Sequence, residues 1–223
     1  MYYYDSSGKL INYNLDMNDY DYCGKSGMVF RLEDDCCLKQ YFSYSTENVK
    51  MSSDIFTILK ELNHPNVYKL IELYYNVDIK DSVEAYKYRY VESSPIDIIN
   101  ESTEYLLYNL EELEKLVDTF SDLKISLKDI KKENAVFTDD RIVLIDLDCC
   151  KLARNNTHCD INENNKLCLQ ELFLDLIVKT RNYSDRYEHE LNELFLFDIN
   201  DSLSSCVSKK LVKFKTLKDY IKR

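Results

Sequence analysis

The apolar residues of this chain change their spacing part-way along it. In the N-terminal stretch they fall into short runs. Met28 to Leu32 and Cys36 to Phe42 are two of these, separated by the acidic turn Glu33-Asp34-Asp35, and together they predict a β-hairpin. From Ile55 the spacing becomes helical, with Ile55, Phe56, Ile58, Leu59 and Leu62 on one face. Ser52, Ser53 and Asp54 offer an N-cap before them, and His64-Pro65-Asn66 stops the run. Val67 to Tyr75 and Ala85 to Val91 then predict two strands flanking a charged loop.

Around Glu92-Ser93-Ser94-Pro95 the pattern passes from strands to helices, which divides the chain into a sheet-rich part, residues 1–91, and a helical part, residues 92–223. Asn109 to Leu123 predicts the clearest helix, because Leu110, Leu113, Leu116, Val117 and Phe120 form a stripe with acidic residues on the opposite face. The runs Ala135-Val136-Phe137 and Ile142-Val143-Leu144-Ile145, joined by Thr138-Asp139-Asp140-Arg141, predict a second hairpin. Helical spacing resumes from Leu167 to Val178 and continues more weakly to Arg223. The expected class is α+β.

Composition narrows the functions open to such a chain. With 223 residues, 45% of them hydrophobic, it can bury a core as one domain or as two small lobes. The 29 basic and 40 acidic residues leave a net charge of −11, so nucleic acid is not an expected partner and a basic-surfaced protein is. The N-terminus, MYYYDSSGKL, has neither a basic stretch nor an apolar core, and no apolar run approaches the roughly 18 residues of a membrane span; a cytoplasmic location without membrane association is expected. The eight cysteines show no C-x-x-C spacing, and the pairs Cys36-Cys37 and Cys149-Cys150, like Cys159, are expected as reduced, buried small hydrophobes. The basic residues near the C-terminus (Lys209, Lys210, Lys213, Lys215, Lys218, Lys222, Arg223) read as a solvated helix face.

The segment Leu127-Lys128-Asp129-Ile130-Lys131-Lys132-Glu133-Asn134 is followed twelve residues later by Asp146-Leu147-Asp148, at the end of an apolar strand. It resembles the protein-kinase catalytic loop H-R-D-x-K-x-x-N and the metal-binding D-F-G. Phosphoryl transfer needs a carboxylate beside the attacking hydroxyl, a cation on the moving phosphoryl group, and metal ligands bridging the phosphates. The resemblance assigns these parts to Asp129, to Lys131, and to Asn134 with Asp146. Gly24-Lys25-Ser26-Gly27-Met28-Val29 resembles the end of the kinase glycine-rich loop, which makes Gly24, Gly27 and Val29 nucleotide-binding candidates. Cys37-Leu38-Lys39 resembles the strand whose lysine touches the α- and β-phosphates. Leu59-Lys60-Glu61-Leu62-Asn63-His64-Pro65-Asn66-Val67 resembles the end of helix αC in Ser/Thr protein kinases.

These matches imply a bilobal kinase-like fold using ATP and Mg²⁺ to phosphorylate Ser or Thr of a protein substrate, with an N-lobe over residues 1–91 and a reduced helical C-lobe over 92–223. The departures are specific. Ile55 stands where a protein kinase carries the αC glutamate that pairs with the lysine, and Asp54 is the adjacent acid. Tyr22 replaces the first loop glycine, Leu127 the loop histidine, Lys128 the loop arginine and Asp148 the glycine of D-F-G. There is no A-P-E motif, and about twenty residues separate Asp146 from the next helical pattern, so only a short activation segment fits. The truncation resembles that of small bacterial effector kinases, which would make the cytoplasm that of its own cell or, for an effector, of a host cell; without a phosphorylation switch the enzyme would be either constitutively active or controlled by a docking partner. Two alternatives stay open: a small-molecule kinase of the aminoglycoside or choline type, where D-x-D endings are common, and a nucleotide-binding pseudokinase acting as an interaction module.

Overall fold

The computed structural model describes residues 1–46, 49–79, 81–93 and 103–180. Ser94 and Pro95, the weaker helical pattern beyond Thr180 and the C-terminal basic residues lie outside them. The described chain is a mixed α+β protein with one large antiparallel sheet and three α-helices. It divides into two compact units. The first joins Met1–Glu92 to Val143–Leu152, and the second holds the described residues of Ser93–Ile142 and Ala153–Arg223.

The first unit is built on a seven-stranded sheet. Its strands are β1 (Tyr2–Tyr4), β2 (Leu10–Asn12), β3 (Tyr22–Cys23), β4 (Gly27–Leu32), β5 (Cys36–Tyr41), β6 (Leu70–Tyr75) and β7 (Val83–Arg89), in the order β2-β1-β6-β7-β5-β4-β3. The predicted hairpin is β4–β5, turning at Asp35 with φ 59°. Every residue of β5 is buried, which places Lys39 deep in the sheet beside Leu38, 0% exposed.

Helix α1 (Ser53–Leu62) forms where the helical spacing predicts it and packs on β6. The Ser52 side chain accepts a hydrogen bond from the Ile55 N–H at 3.3 Å, and Asn63 closes the helix in the left-handed conformation. Ile55, Phe56 and Leu59 are its buried face.

The second unit rests on α2 (Thr103–Asp122), whose buried stripe runs through Leu106, Leu110, Leu113, Leu116, Val117 and Phe120. Packed against it is α3 (His158–Thr180), which contributes Ile161, Leu169, Leu172 and Phe173 to the core. Both helices start earlier than the apolar spacing predicts, α2 before Asn109 and α3 before Leu167. The start of α3 is a reciprocal cap: the Thr157 hydroxyl donates to Asp160 at 2.7 Å and accepts from the Asp160 N–H at 3.2 Å. The second hairpin, β9 (Ala135–Phe137) and β10 (Ile142–Leu144), follows the short strand β8 (Ile125–Ser126); its turn is closed by the Thr138 N–H on the Arg141 carbonyl at 2.9 Å.

Cys36, Cys37 and Cys150 are buried as expected, whereas Cys23 and Cys159 are exposed and Cys149 and Cys168 half-buried. Cys159 therefore departs from its expected burial, because it lies on the solvent-facing first turn of α3. Among the described residues no helix is long and apolar enough to cross a membrane.

Candidate functional site

Strand alternation places Lys39 and Tyr41 on the same face of β5. The antiparallel ladder sets Val29 of β4 opposite Lys39 on one side and Tyr86 of β7 opposite it on the other. Val29 thus neighbours the lysine directly. Gly24 and Gly27 lie in the tight β3–β4 turn, closed by the Gly24 N–H on the Gly27 carbonyl at 2.9 Å. Gly27 is dictated by space, since a Cβ there would stand 2.2 Å from the carbonyl oxygen of Gln40 on β5. Gly24 has no comparable neighbour, its nearest being the Tyr22 ring at 3.4 Å.

The segment that ends the second hairpin returns to this sheet. Leu144 is held between two backbone hydrogen bonds, its N–H on the Asn66 carbonyl at 2.8 Å and its carbonyl receiving the Tyr68 N–H at 3.1 Å. Asp146 then adopts a left-handed backbone (φ 54°), and Leu147–Cys149 form a single 3-10 turn with Leu147 fully buried. Lys39 Nζ donates to Oδ1 of Asp146 at 2.5 Å and stands 2.8 Å from Oδ2 of Asp148. The two carboxylates differ sharply in exposure: the Asp146 side chain is 37% exposed and that of Asp148 2%.

Asp54, the acid nearest to the expected αC glutamate, lies on the exposed face of α1, and the described partners of Lys39 are Asp146 and Asp148 instead. Asp148 is surrounded by the fully buried Tyr41, Tyr68 and Tyr86. Its compensation comes from the Lys39 ammonium at 2.8 Å and from the Tyr86 and Tyr41 phenols beside it. Burial pushes the Asp148 carboxyl up to about 6 even with Lys39 beside it. For Lys39 burial pulls the ammonium down, but Asp148 and then Asp146 outweigh it and hold the ammonium above its ordinary range.

The catalytic-loop candidates form a second cluster, within the second unit. The loop backbone is fixed by buried asparagines. Asn165 of α3 accepts the Leu127 N–H at 2.7 Å and donates to the Ile125 carbonyl at 2.8 Å, while Asn109 of α2 accepts the Ile142 N–H at 2.6 Å. Leu127 and Ile130 anchor the loop in the core, and Asp129 between them takes φ 56° and points outward. Lys131 Nζ donates to both Asp129 oxygens at 2.9 and 2.8 Å. Asn134, buried in a 3-10 turn over Lys132–Asn134, donates to the Asp129 carbonyl at 2.8 Å.

The other positive-φ residues (Asp35, Asn63, Asp81 and Lys124) lie in turns or caps, where this backbone is common. Asp129 and Asp146, the two aspartates singled out by the sequence resemblance, adopt it as well, at a cost of about 1 kcal/mol or more each. The first unit therefore brings together Val29, Lys39 and Asp146, and the second brings together Asp129, Lys131 and Asn134. Sequence reasoning missed the pairing of Asp148 with Lys39. The only signals for it were an aspartate in place of a glycine and an apolar residue where α1 should carry an acid.

No protein-family model matches the chain, and no curated protein matches it in sequence.

Proposed function

We propose that the protein is a minimal kinase of the protein Ser/Thr type, bilobal in fold, that uses ATP and Mg²⁺ and lacks activation-loop control. The observation that carries this reading is the ion pair between Lys39 and Asp146, two residues 107 positions apart that were each assigned a part in phosphoryl transfer on separate motifs. Mg-ATP supplies the transferable phosphoryl group. The chain's own groups then have distinct tasks. Lys39 neutralises phosphate charge from a buried position where electrostatics is weakly screened. Asp129, on an exposed and rigidly supported loop, accepts the proton of the acceptor hydroxyl, and Lys131 beside it faces the charge that develops there.

The part-exposed carboxylate of Asp146 and the side-chain amide oxygen of Asn134 are the groups that would hold the metal, which supplies charge neutralisation on the phosphates. Among the described residues no cluster of three or more His, Cys, Asp or Glu could hold a metal ion alone. Mg²⁺ keeps several waters and takes ligands from substrate phosphates, so one or two protein donors would be enough to hold it. The absence of a long segment after Asp148 supports control by something other than a phosphorylated loop, since α3 begins at His158.

The test is transfer from labelled ATP with Mg²⁺ to generic protein acceptors and, in parallel, to aminoglycosides and choline. Label on protein serine or threonine is expected. Label on a small molecule would replace this reading with the small-molecule kinase, and nucleotide binding without transfer would replace it with the pseudokinase.

A further inference from the structure

Lys39 is held by two carboxylates that cannot be doing the same work. A buried ammonium left without a counter-ion is strongly destabilising, so at least one partner must stay with it in every state of the protein. Asp146 is the part-exposed one, reachable by a ligand. Asp148 is enclosed: its side chain is 2% exposed, Leu147 and Cys150 on either side are buried, and Tyr41, Tyr68 and Tyr86 surround it.

Helix α1 supplies neither role. Its inward face is Ile55, Phe56 and Leu59, and its acids Asp54 and Glu61 are exposed.

We propose that Asp148 is the permanent counter-ion and positioning residue of Lys39, leaving Asp146 exchangeable, so that the aim of the lysine is set by the Asp146–Asp148 segment and is independent of helix α1. The catalytic side of this inference rests on the kinase reading; the ion-pair side does not. An enzyme built this way has no on–off control through an ion pair to α1, because the described ion pairs and hydrogen bond of the lysine come from Asp146 and Asp148 and not from that helix.

The first test uses the nucleotide-free protein and a double-mutant cycle in thermal unfolding. Asp148→Asn and Lys39→Met should each lower Tm by several degrees, and the double variant, with both buried charges removed, should unfold no earlier than the worse single one. Asp146→Asn should shift Tm much less. Additive losses, or an Asp146→Asn loss as large as that of Asp148→Asn, would overturn the assignment. If Asp148→Asn alone does not fold, a folded double variant still reports the coupling, and an unfolded double variant contradicts it.

The second test asks for positioning. Well below both Tm values, Asp148→Asn should lower kcat for phosphotransfer at least tenfold, Asp148→Glu should recover part of that loss, and Asp54→Asn should leave activity unchanged. A fully active Asp148→Asn, or an Asp54→Asn as impaired as Asp148→Asn, would overturn the positioning role. A parent protein with no transfer activity, combined with a coupled cycle, would sink the kinase reading while keeping the ion pair.

Discussion

Nζ of Lys39 and Oδ1 of Asp146 stand 2.5 Å apart, although the one lies mid-strand in the sheet and the other follows the second hairpin. Lys39→Ala removes the cation from this meeting point and leaves two carboxylates facing each other. Nucleotide-dependent transfer should fall at least about tenfold, because the lost interaction acts on phosphate charge in a weakly screened site. Initial rates with saturating acceptor check this, and parental rates in the variant would remove Lys39 from the mechanism.

Asp146 and Asp129 should respond differently to the same isosteric change. Asp146→Asn should abolish the rise in Tm that Mg-ATP gives the parent, since ligand stabilisation follows affinity. Asp129→Asn should keep that rise and lose most transfer. Thermal shift and transfer assays on both variants decide it, and equal loss of nucleotide binding would contradict the separation of roles.

The two turn glycines should also separate. Gly27→Ala drives a methyl group to within 2.2 Å of the Gln40 carbonyl oxygen, a backbone atom that can yield only if the β4–β5 pairing shifts. A loss of about 1–3 kcal/mol in denaturant unfolding is expected. Gly24→Ala meets the edge of the exposed Tyr22 ring at 3.4 Å and the Gly27 carbonyl oxygen at 3.8 Å, both ordinary contacts, and should stay within about 0.5 kcal/mol of the parent.

Thr157 is the one threonine between Asp148 and the body of α3, and its hydroxyl is already committed to capping that helix. Phosphatase treatment should leave activity unchanged. Thr157→Ala should cost about 1 kcal/mol of stability through the lost cap while sparing transfer. A large loss of activity on dephosphorylation, restored by phosphate on Thr157, would reveal a compact switch.

Buried tyrosines predict an alkaline limit to stability. Burial holds the phenols of Tyr3, Tyr41, Tyr68, Tyr74 and Tyr86 above their ordinary range. In the unfolded chain they ionise near pH 10, so the folded state binds more protons above that pH, and stability that is full below about pH 10 is lost as pH rises past it. Part of the tyrosinate absorbance should stay suppressed until the far-UV circular dichroism signal is lost. Complete ionisation with the fold intact would show that these phenols are reached by water.

The sequence pattern marked β4, β5, α1 and the second hairpin because each has the period of its element and a chemical stop beside it. Strands β1 and β2 escaped it, since each is three residues long with only Tyr3 fully buried among them. The first turns of α3 escaped it for a different reason. His158 to Lys166 is almost entirely polar, and what buries there is Ile161 together with Asn165, a side chain used for hydrogen bonding to the loop rather than for apolar packing. The Thr157–Asp160 cap was the readable signal. The Lys39–Asp148 pair could not be read from spacing at all, because two residues 109 apart meet only through the return of Leu144 to the Asn66–Tyr68 backbone.

That return also bears on how the protein is made. The first unit takes its last ten residues, Val143–Leu152, from beyond residues 93–142. As the chain leaves the ribosome, the sheet emerges well before Leu144 and Leu147 are available to fill their places in its core. Until residue 146 follows, Lys39 has neither of its carboxylates, and until residue 148 it lacks the buried one. The N-terminal stretch is therefore expected to mature late, and expression of residues 1–92 alone should yield a chaperone-dependent fragment rather than a free-standing domain.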